Sequence, residues 1–429
     1  MKLLFLPLLL LLLGATTPLR ADAPAMELPA GPEGDVPIEQ LRLFAEVMER
    51  IRAAYVEDVD DATLLEAAIR GMLHELDPHS AYLSPEEFED LQVSTRGEFG
   101  GVGIEVTMED GLLKVVAPID DTPASRAGMR AGDLILRIDD ELVRGMTMQE
   151  AVGSLRGERG TEVELQVLRE GAETPKTISL TRDRIEIRSV RSDMPEPGLG
   201  YLRISQFQRG TGEELKRHLA ELQDRGELRG LVLDLRNNPG GTLEGAVDVA
   251  ELFLDGELVV YTQGRDEGSR VNYDASPGRQ APDIPLVVLV NSGSASASEI
   301  VAGALQDQGA AIIMGRPTFG KGSVQTVLPL HRERALKLTT ARYYTPSGRS
   351  IQAEGIRPDI TVDVARVELE PQARQRREAD LPRHLRGEHP APPEAEDKEV
   401  PESLAGEDYM LYQALSVLKG IDLSRRSRP

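Results

Sequence analysis

The sequence predicts an α/β protein built from several domains. Two apolar runs, Leu231–Leu235 and Leu286–Val290, are each followed by a helix-forming stretch, and this alternation marks a core of buried, parallel strands. Ahead of them, short strands crowd the stretch from Gly97 to Arg182, and helical periodicity runs from Pro37 to about Ser84. A length of 429 residues fits two to four domains. With 40% hydrophobic and 28% charged residues, neither a polytopic membrane protein nor a wholly disordered chain is expected.

Taken in order, Lys2 precedes a leucine-rich run from Leu3 to Leu13, then Gly14, Ala15 and small residues ending near Ala21. That pattern is a signal peptide, too short to span a bilayer comfortably. Residues 1–21 are therefore expected to be removed, which exports the protein to the periplasm or cell envelope; retention as an anchor is the alternative. Residues 22–36 are rich in Pro, Ala, Gly and acid and read as a linker. Residues 37–96 form a helical region, in which Leu41, Phe44, Val47, Met48, Ile51 and Tyr55, then Leu64, Ala68, Met72 and Leu76, recur at helical spacing. Asp77-Pro78-His79-Ser80 breaks the periodicity, and Ser84-Pro85-Glu86-Glu87 starts another helix.

Residues 97–182 read as one compact module. Gly100-Gly101-Val102-Gly103-Ile104 is a glycine loop feeding a strand; Leu112–Val116, Asp133–Ile138 and Val163–Leu168 are further strands. Short helices are expected over Pro123–Met129 and Met148–Leu155. Residues 183–365 hold the α/β core, with helices over Glu213–Leu222 and Leu243–Phe253, and a third strand over Ala310–Met314. Residues 366–402 are charged and Pro-rich and read as a linker. In residues 403–429 a last helix carries Leu411, Leu415 and Leu418 on one face. A short helix must bury such a stripe against its own core or another chain, and a homodimer through it is the expectation.

Lysine plus arginine number 49 and aspartate plus glutamate 72, a net charge of −23. So acidic a surface repels phosphate backbones, which argues against nucleic acid as a partner. Cysteine is absent, which excludes disulfides, thiolate metal sites and a cysteine nucleophile. The six histidines, His74, His79, His218, His331, His384 and His389, show no metal-ligand spacing and read as ordinary structural or surface residues. No metal or cofactor is expected.

The chemistry-bearing segments follow the buried strands. Asn291-Ser292-Gly293-Ser294-Ala295-Ser296-Ala297-Ser298-Glu299 opens a helix, where N-terminal amides converge and suit a developing oxyanion. Helix capping by serine is the alternative there. Gly320-Lys321-Gly322 follows the third strand, and a buried lysine loses its proton readily enough to act as base toward a serine hydroxyl. Lys321 and Ser296 together would form a Ser–Lys dyad. Asp234-Leu235-Arg236-Asn237-Asn238-Pro239-Gly240-Gly241 leaves backbone N–H groups to aim at a ligand, and one of them with Ala297 N–H would form a two-donor oxyanion hole.

At these residues the sequence strongly resembles the C-terminal processing peptidases, or tail-specific proteases, of peptidase family S41. Gly-Ser-Ala-Ser296-Ala-Ser-Glu resembles the family's nucleophile segment, Thr-Phe-Gly-Lys321-Gly-Ser-Val-Gln325 its base segment, and Asp-Leu-Arg-Asn-Asn-Pro-Gly-Gly its oxyanion loop. The resemblance spans about residues 38–362. It implies a crotonase/ClpP-like core with an inserted PDZ domain. It further implies Ser296 as nucleophile, Lys321 as general base, Gln325 as the residue orienting the lysine, and Ala297 with Gly240 or Gly241 as the oxyanion hole.

Gly101, Val102, Gly103 and Ile104 resemble the loop with which PDZ domains capture a peptide's terminal carboxylate. Arg156 resembles the arginine that links PDZ position to the catalytic centre in family members. The implied activity is that of an exported serine endopeptidase acting on proteins with apolar C-terminal tails, with an adaptor protein assisting activation. A non-catalytic PDZ scaffold on a degenerate peptidase fold is the alternative, and the intact Ser296, Lys321 and Gln325 argue against it.

Overall fold

The computed structural model describes residues 37–363 apart from Asp110, Asp120, Glu170 and Glu173, together with Arg383 and residues 404–426. The expected signal segment and the first expected linker lie outside the described residues, as does all of the second linker except Arg383. The chain divides into two compact units, Met1–Ala68 and Ile69–Pro429. The first holds α1 (Ile38–Ala54) and the first turns of α2 (Asp61–His74). Asp60 fixes the start of α2, its carboxylate accepting from Thr63 N–H at 2.8 Å. No residue of α1 is buried, and Leu41, Phe44, Val47 and Ile51 stay exposed along one side.

The second unit continues α2 and opens with β1 (Ala81–Leu83) and α3 (Pro85–Arg96). Ser84 and Glu87 form the capping box that the Ser-Pro-Glu-Glu pattern predicts, with Glu87 N–H donating to Ser84 Oγ at 3.2 Å and Ser84 N–H to Glu87 Oε2 at 2.8 Å. Next comes β2 (Glu98–Gly101), then the strands and helices of the inserted module: β3 (Ile104–Glu109), β4 (Leu112–Pro118), α4 (Pro123–Arg126), β5 (Leu134–Ile138), β6 (Glu141–Leu142), α5 (Met148–Leu155), β7 (Glu162–Leu168) and β8 (Lys176–Thr181). Strand order is β3-β4-β5-β7-β8, with β6 added on β5, so β3 is an edge strand. Leu113, Val115, Ile135, Ile138, Leu165 and Ala151 close a core of the module's own. β2 pairs antiparallel with β9 (Asp183–Glu186), tying the chain together where it enters and leaves the module.

The main sheet is built from β10 (Val190–Glu196), β11 (Leu199–Ile204), β12 (Gly230–Asp234), β15 (Leu286–Val290), β16 (Ile312–Gly315) and β19 (Ile360–Thr361), in that order. All neighbours are parallel except β10 and β11. Side chains alternate along each strand. Leu231, Leu233, Val288 and Val290 face α6 (Thr211–Asp224), α7 (Leu243–Glu251) and α8 (Ala297–Asp307). Val232, Val287 and Leu289 face the other way, onto α10 (Tyr409–Arg426), which follows the single turn α9 (Leu404–Glu407).

That last contact corrects one expectation. Leu411, Leu415 and Leu418 are buried against the chain's own sheet. The stripe is already covered, so it offers no surface for a homodimer. The apolar runs of β12 and β15 require two covering layers, and α10 is the second.

A further sheet, not foreseen in the sequence, stands beside the first. It runs β1-β18-β13-β14 with β17 on β18, from β13 (Leu258–Gln263), β14 (Val271–Asp274), β17 (Ser323–Pro329) and β18 (Ala335–Tyr344).

Candidate active site

Three loops leave the C-terminal ends of adjacent parallel strands: Leu235–Gly241 after β12, Asn291–Ser296 after β15 and Arg316–Lys321 after β16. This edge is where open α/β sheets assemble their sites. The loops are stitched together. Ser294 Oγ donates to Leu235 O at 2.8 Å, Ser298 Oγ donates to Asn238 O at 3.0 Å, and Asn237 and Asn291 exchange hydrogen bonds at 2.9 Å. Ser294 and Ser298 are thus occupied as ties between loops.

Ser296 ends the second loop at the cap of α8, 7% exposed, with φ 55° and ψ −113°. A β-carbon-bearing residue with positive φ is strained, and a serine held so on a strand–turn–helix junction is presented away from the backbone. Ala297 is the first residue of α8, and its N–H has no acceptor among the described residues. Gly240 packs directly on this turn: a β-carbon on it would stand 2.8 Å from Ser296 Cβ and 3.0 Å from Ala297 N, and its φ is 105°. Its N–H donates to Asn238 Oδ1 at 2.9 Å. The N–H of Gly241 has no acceptor among the described residues.

Glu299 organises the site. It is fully buried, and Ser296 N–H donates to its Oε2 at 2.7 Å and Lys321 N–H to the same oxygen at 2.9 Å. The two backbone nitrogens are therefore at most two hydrogen-bond lengths apart. Gly320 N–H donates to Oε1 at 2.7 Å and Thr318 Oγ1 at 2.5 Å. One carboxylate gathers the serine and lysine segments, a role that the place of Glu299 in the helix-opening segment does not signal.

Burial pushes the Lys321 ammonium below the ordinary lysine value; the Lys337 charge adds to this, and Asp77 and Glu299 oppose it. No hydrogen bond joins Lys321 Nζ to Ser296 Oγ among the described residues. The Tyr343 phenol lies in hydrogen-bonding range of the Ser296 hydroxyl and is pushed up to about 12 by burial.

The Asp77–Ser80 turn also belongs here. Ser80 N–H and Oγ donate to Asp77 at 2.9 and 2.7 Å, and Thr339 N–H donates to Ser80 Oγ at 3.1 Å, which seats the turn on β18. Burial and the Lys321 charge hold the His79 imidazole below the ordinary histidine value. The sequence showed this turn only as a helix break, and nothing in its spacing pointed to Lys321.

Gln325 is placed differently from what the resemblance implied. Its Nε2 donates to Ser323 Oγ at 2.9 Å and Thr339 Oγ1 at 3.3 Å, and no bond to Lys321 is present among the described residues. Ser323 lies two positions along the same strand and so shares its face.

In the inserted module, Val102 and Gly103 N–H have no acceptor among the described residues, while Val102 O accepts from Ala124 N–H and Gly103 O from Ile119 N–H, both at 2.9 Å. Gly103 has φ 78°, and a β-carbon there would meet Thr122 at 2.3 Å. Gly101 pairs with Asp183 in the β2–β9 ribbon, and Ile104 begins the edge strand β3. Arg156 caps the C-terminus of α5. Its Nη1 donates to Asp90 Oδ1 at 2.7 Å and its guanidinium lies 5.6 Å from the Phe99 ring centre, so its partners are on α3 and β2 rather than at Ser296 or Lys321.

No group of three or more His, Asp or Glu side chains able to hold a metal ion occurs among the described residues. Nor is any described helix long and apolar enough to cross a membrane.

Comparison with known proteins decides the family. Residues 198–362 match peptidase family S41, residues 114–169 a PDZ domain, and residues 23–87 the N-terminal domain of the activating protease CtpB. A carboxy-terminal-processing protease of Bartonella bacilliformis is 49% identical over 328 residues, covering 76% of this chain and 75% of its own. This chain belongs to the carboxy-terminal processing proteases. A second relative, the carboxyl-terminal-processing protease of a Synechocystis species, is 41% identical over 303 residues, covering 69% of this chain and 70% of its own. Among solved structures, the photosystem II D1 C-terminal processing protease is 34% identical and aligns with a TM-score of 0.44, covering 76% of this chain and 94% of that one. The protease is thus an α/β member of family S41 carrying a PDZ domain.

Proposed function

We propose that this protease is a serine endopeptidase in which Ser296 is the nucleophile and Lys321 its base. The observation that carries this reading is the shared Glu299 oxygen, which holds the two backbone segments side by side, with Gly240 packed on the Ser296–Ala297 turn. Neutral Lys321 Nζ takes the Ser296 proton as Oγ attacks the scissile carbonyl carbon. The oxyanion receives hydrogen bonds from Ala297 and Gly241 N–H; Gly240 N–H is engaged by Asn238, which favours Gly241 as the second donor. Collapse of the tetrahedral intermediate expels the amine, which takes the proton from Lys321, and water then hydrolyses the ester by the same route. Gln325, four residues beyond Lys321 on β17 and bonded to Ser323 and Thr339, would support the base only indirectly, through that strand.

The base must be neutral, so activity rises with pH as Lys321 deprotonates. Because burial and Lys337 lower its pKa, the rise should be centred below the pH at which an ordinary lysine, of pKa about 10.4, would titrate. Lys337→Met removes the like charge and should displace the ascending limb of the kcat/KM profile toward alkaline pH. An unchanged limb would show that Lys321 is not the titrating group.

The PDZ domain recognises the substrate's tail. The unpartnered Val102 and Gly103 N–H groups suit a terminal carboxylate, and the open edge of β3 suits strand addition. An unstructured peptide ending in apolar residues should be cut upstream of its tail. The same peptide with an amidated C-terminus should be cut at least tenfold more slowly; equal rates would remove tail capture from the mechanism.

Arg156, held by Asp90 in the arrangement described, would exchange that partner when the PDZ domain moves, so tail binding or an adaptor gates the site. Residues 1–21 would direct export to the periplasm or cell envelope.

A further inference from the structure

The last helix of the chain makes two arginine–aspartate ties to the main sheet, one at each end of the same strand. At the N-terminal end of β12, Arg229 Nη1 donates to Asp422 Oδ2 at 3.1 Å. At its C-terminal end, Arg236 Nη1 and Nη2 donate to Asp408 Oδ1 and Oδ2 at 2.8 and 2.6 Å. The spacings agree: fourteen residues of helix and seven of strand each span about 20–23 Å. Thus α10 lies antiparallel to β12, with Asp408 under the edge from which the active-site loops emerge.

The two ties differ in what they hold. Arg229 precedes β12, on the side away from the site. Arg236 belongs to the loop itself, four residues ahead of Gly240. The Arg236 guanidinium is 16% exposed and also donates to the fully buried Asp234, with Nε to Oδ1 at 2.9 Å and Nη2 to Oδ2 at 2.6 Å. Arg203 joins from β11, its Nη1 donating to Asp234 at 3.1 Å and its Nη2 to the Arg236 carbonyl at 3.2 Å. Asp408 has a second task, its Oδ1 accepting Leu411 N–H at 3.0 Å and so fixing the first turn of α10. The backbone leaving Arg236 is pinned to a helix that the core cannot shed without exposing Val232, Val287 and Leu289. Met410 closes on the neighbouring loop too: a β-carbon on Gly315, which ends β16, would lie 3.2 Å from its sulfur.

We propose that Asp408 is a positioning residue for the oxyanion loop, so that the C-terminal helix is part of the catalytic unit rather than an appended tail. It acts through Arg236, whose bidentate grip sets the height and tilt of Asn237–Gly241 over Ser296. A donor displaced by about 1 Å from a developing oxyanion can lower turnover by about 10²-fold while leaving ground-state binding little changed. This rests on the assignment of Gly241 and Ala297 as the oxyanion hole.

The test compares Asp408→Asn with Asp422→Asn in the full-length protein, using one unstructured tailed peptide. Asp408→Asn keeps the side chain's size and its capping oxygen but weakens the grip on Arg236. We expect its kcat to fall at least tenfold with KM within twofold of wild type, and Asp422→Asn to keep kcat within twofold. Asp408→Glu keeps the charge and moves the carboxylate by one methylene; it should give an intermediate kcat, and it carries the test alone if Asp408→Asn does not fold. Equal kcat for both asparagine variants, or a wild-type kcat for Asp408→Glu, would overturn the inference and leave α10 a structural cover. Ser296→Ala separates the two levels. If it keeps activity, the catalytic assignment fails; if it is inactive while the Asp408 variants turn over normally, only the positioning role fails.

Discussion

Ser296→Ala and Lys321→Ala should each reduce peptide hydrolysis by about 10⁴-fold or more, and the double variant should be no worse than either single one. Nucleophile and base act as a unit, so removing one member removes what the other contributes. Both variants should stay folded, with melting temperatures close to that of the wild type. Ser296→Ala keeps the β-carbon and the positive φ and gives up only the contact of the hydroxyl with the Tyr343 phenol, while Lys321 Nζ makes no hydrogen bond among the described residues, so its replacement removes a desolvated ammonium. The neighbouring serines provide the contrast. Ser294→Ala and Ser298→Ala each delete a bond tying two loops, at about 1 kcal/mol apiece, and leave the nucleophile in place. They should lower the melting temperature and cost far less activity. Loss of turnover in Ser294→Ala with retention in Ser296→Ala would sink the assignment.

Residues whose role is expressed in local pattern could be read from the sequence, and residues whose role depends on distant partners could not. Ser296, Lys321 and Gly240–Gly241 each follow an apolar strand, and strand, turn and helix signals fall within a few residues of one another. α5 runs over Met148–Leu155, the bounds its apolar periodicity predicts, and Thr147 with Glu150 caps its start. β17 and β18 carry intermediate burial along most of their length, so neither alternation nor a continuous apolar run marked them. The Asp77–Ser80 turn meets Thr339 across 259 residues, a juxtaposition no spacing encodes.

The place of α10 follows from the strands it covers. Five consecutive buried residues in β12 and again in β15 mean that both sheet faces are covered, and α6, α7 and α8 cover only one. The remaining amphipathic helix had to lie on the other. The leucine stripe by itself suits a second copy as well as the chain's own core, and only the uncovered face of the sheet decides between them.

Glu299 is where folding and chemistry meet, and its replacement should be costly to both. Its oxygens accept from three backbone N–H groups and one hydroxyl, with no exposure to water. Glu299→Ala strands those donors in a dry interior at about 1–3 kcal/mol each, so the melting temperature should drop well below that of Ser296→Ala. Glu299→Gln is the sharper case. Its shape is the same, but whichever way the amide turns, its NH₂ must face N–H or O–H donors already aimed at that position. If it replaces Oε2, the Ser296 and Lys321 segments are pushed apart; if it replaces Oε1, the Thr318–Gly320 turn is displaced and carries Lys321 with it. In either orientation the serine and lysine lose their common anchor. A shift of about 1 Å between reacting groups is worth about 10²-fold in rate. We therefore expect kcat to fall about 10²-fold or more in Glu299→Gln, with KM for a tailed peptide nearly unchanged because the PDZ domain is untouched. Parallel measurement of turnover, tail binding and thermal melting checks this. A Glu299→Gln enzyme within threefold of wild-type kcat would mean that the two segments are held in register by something other than this carboxylate.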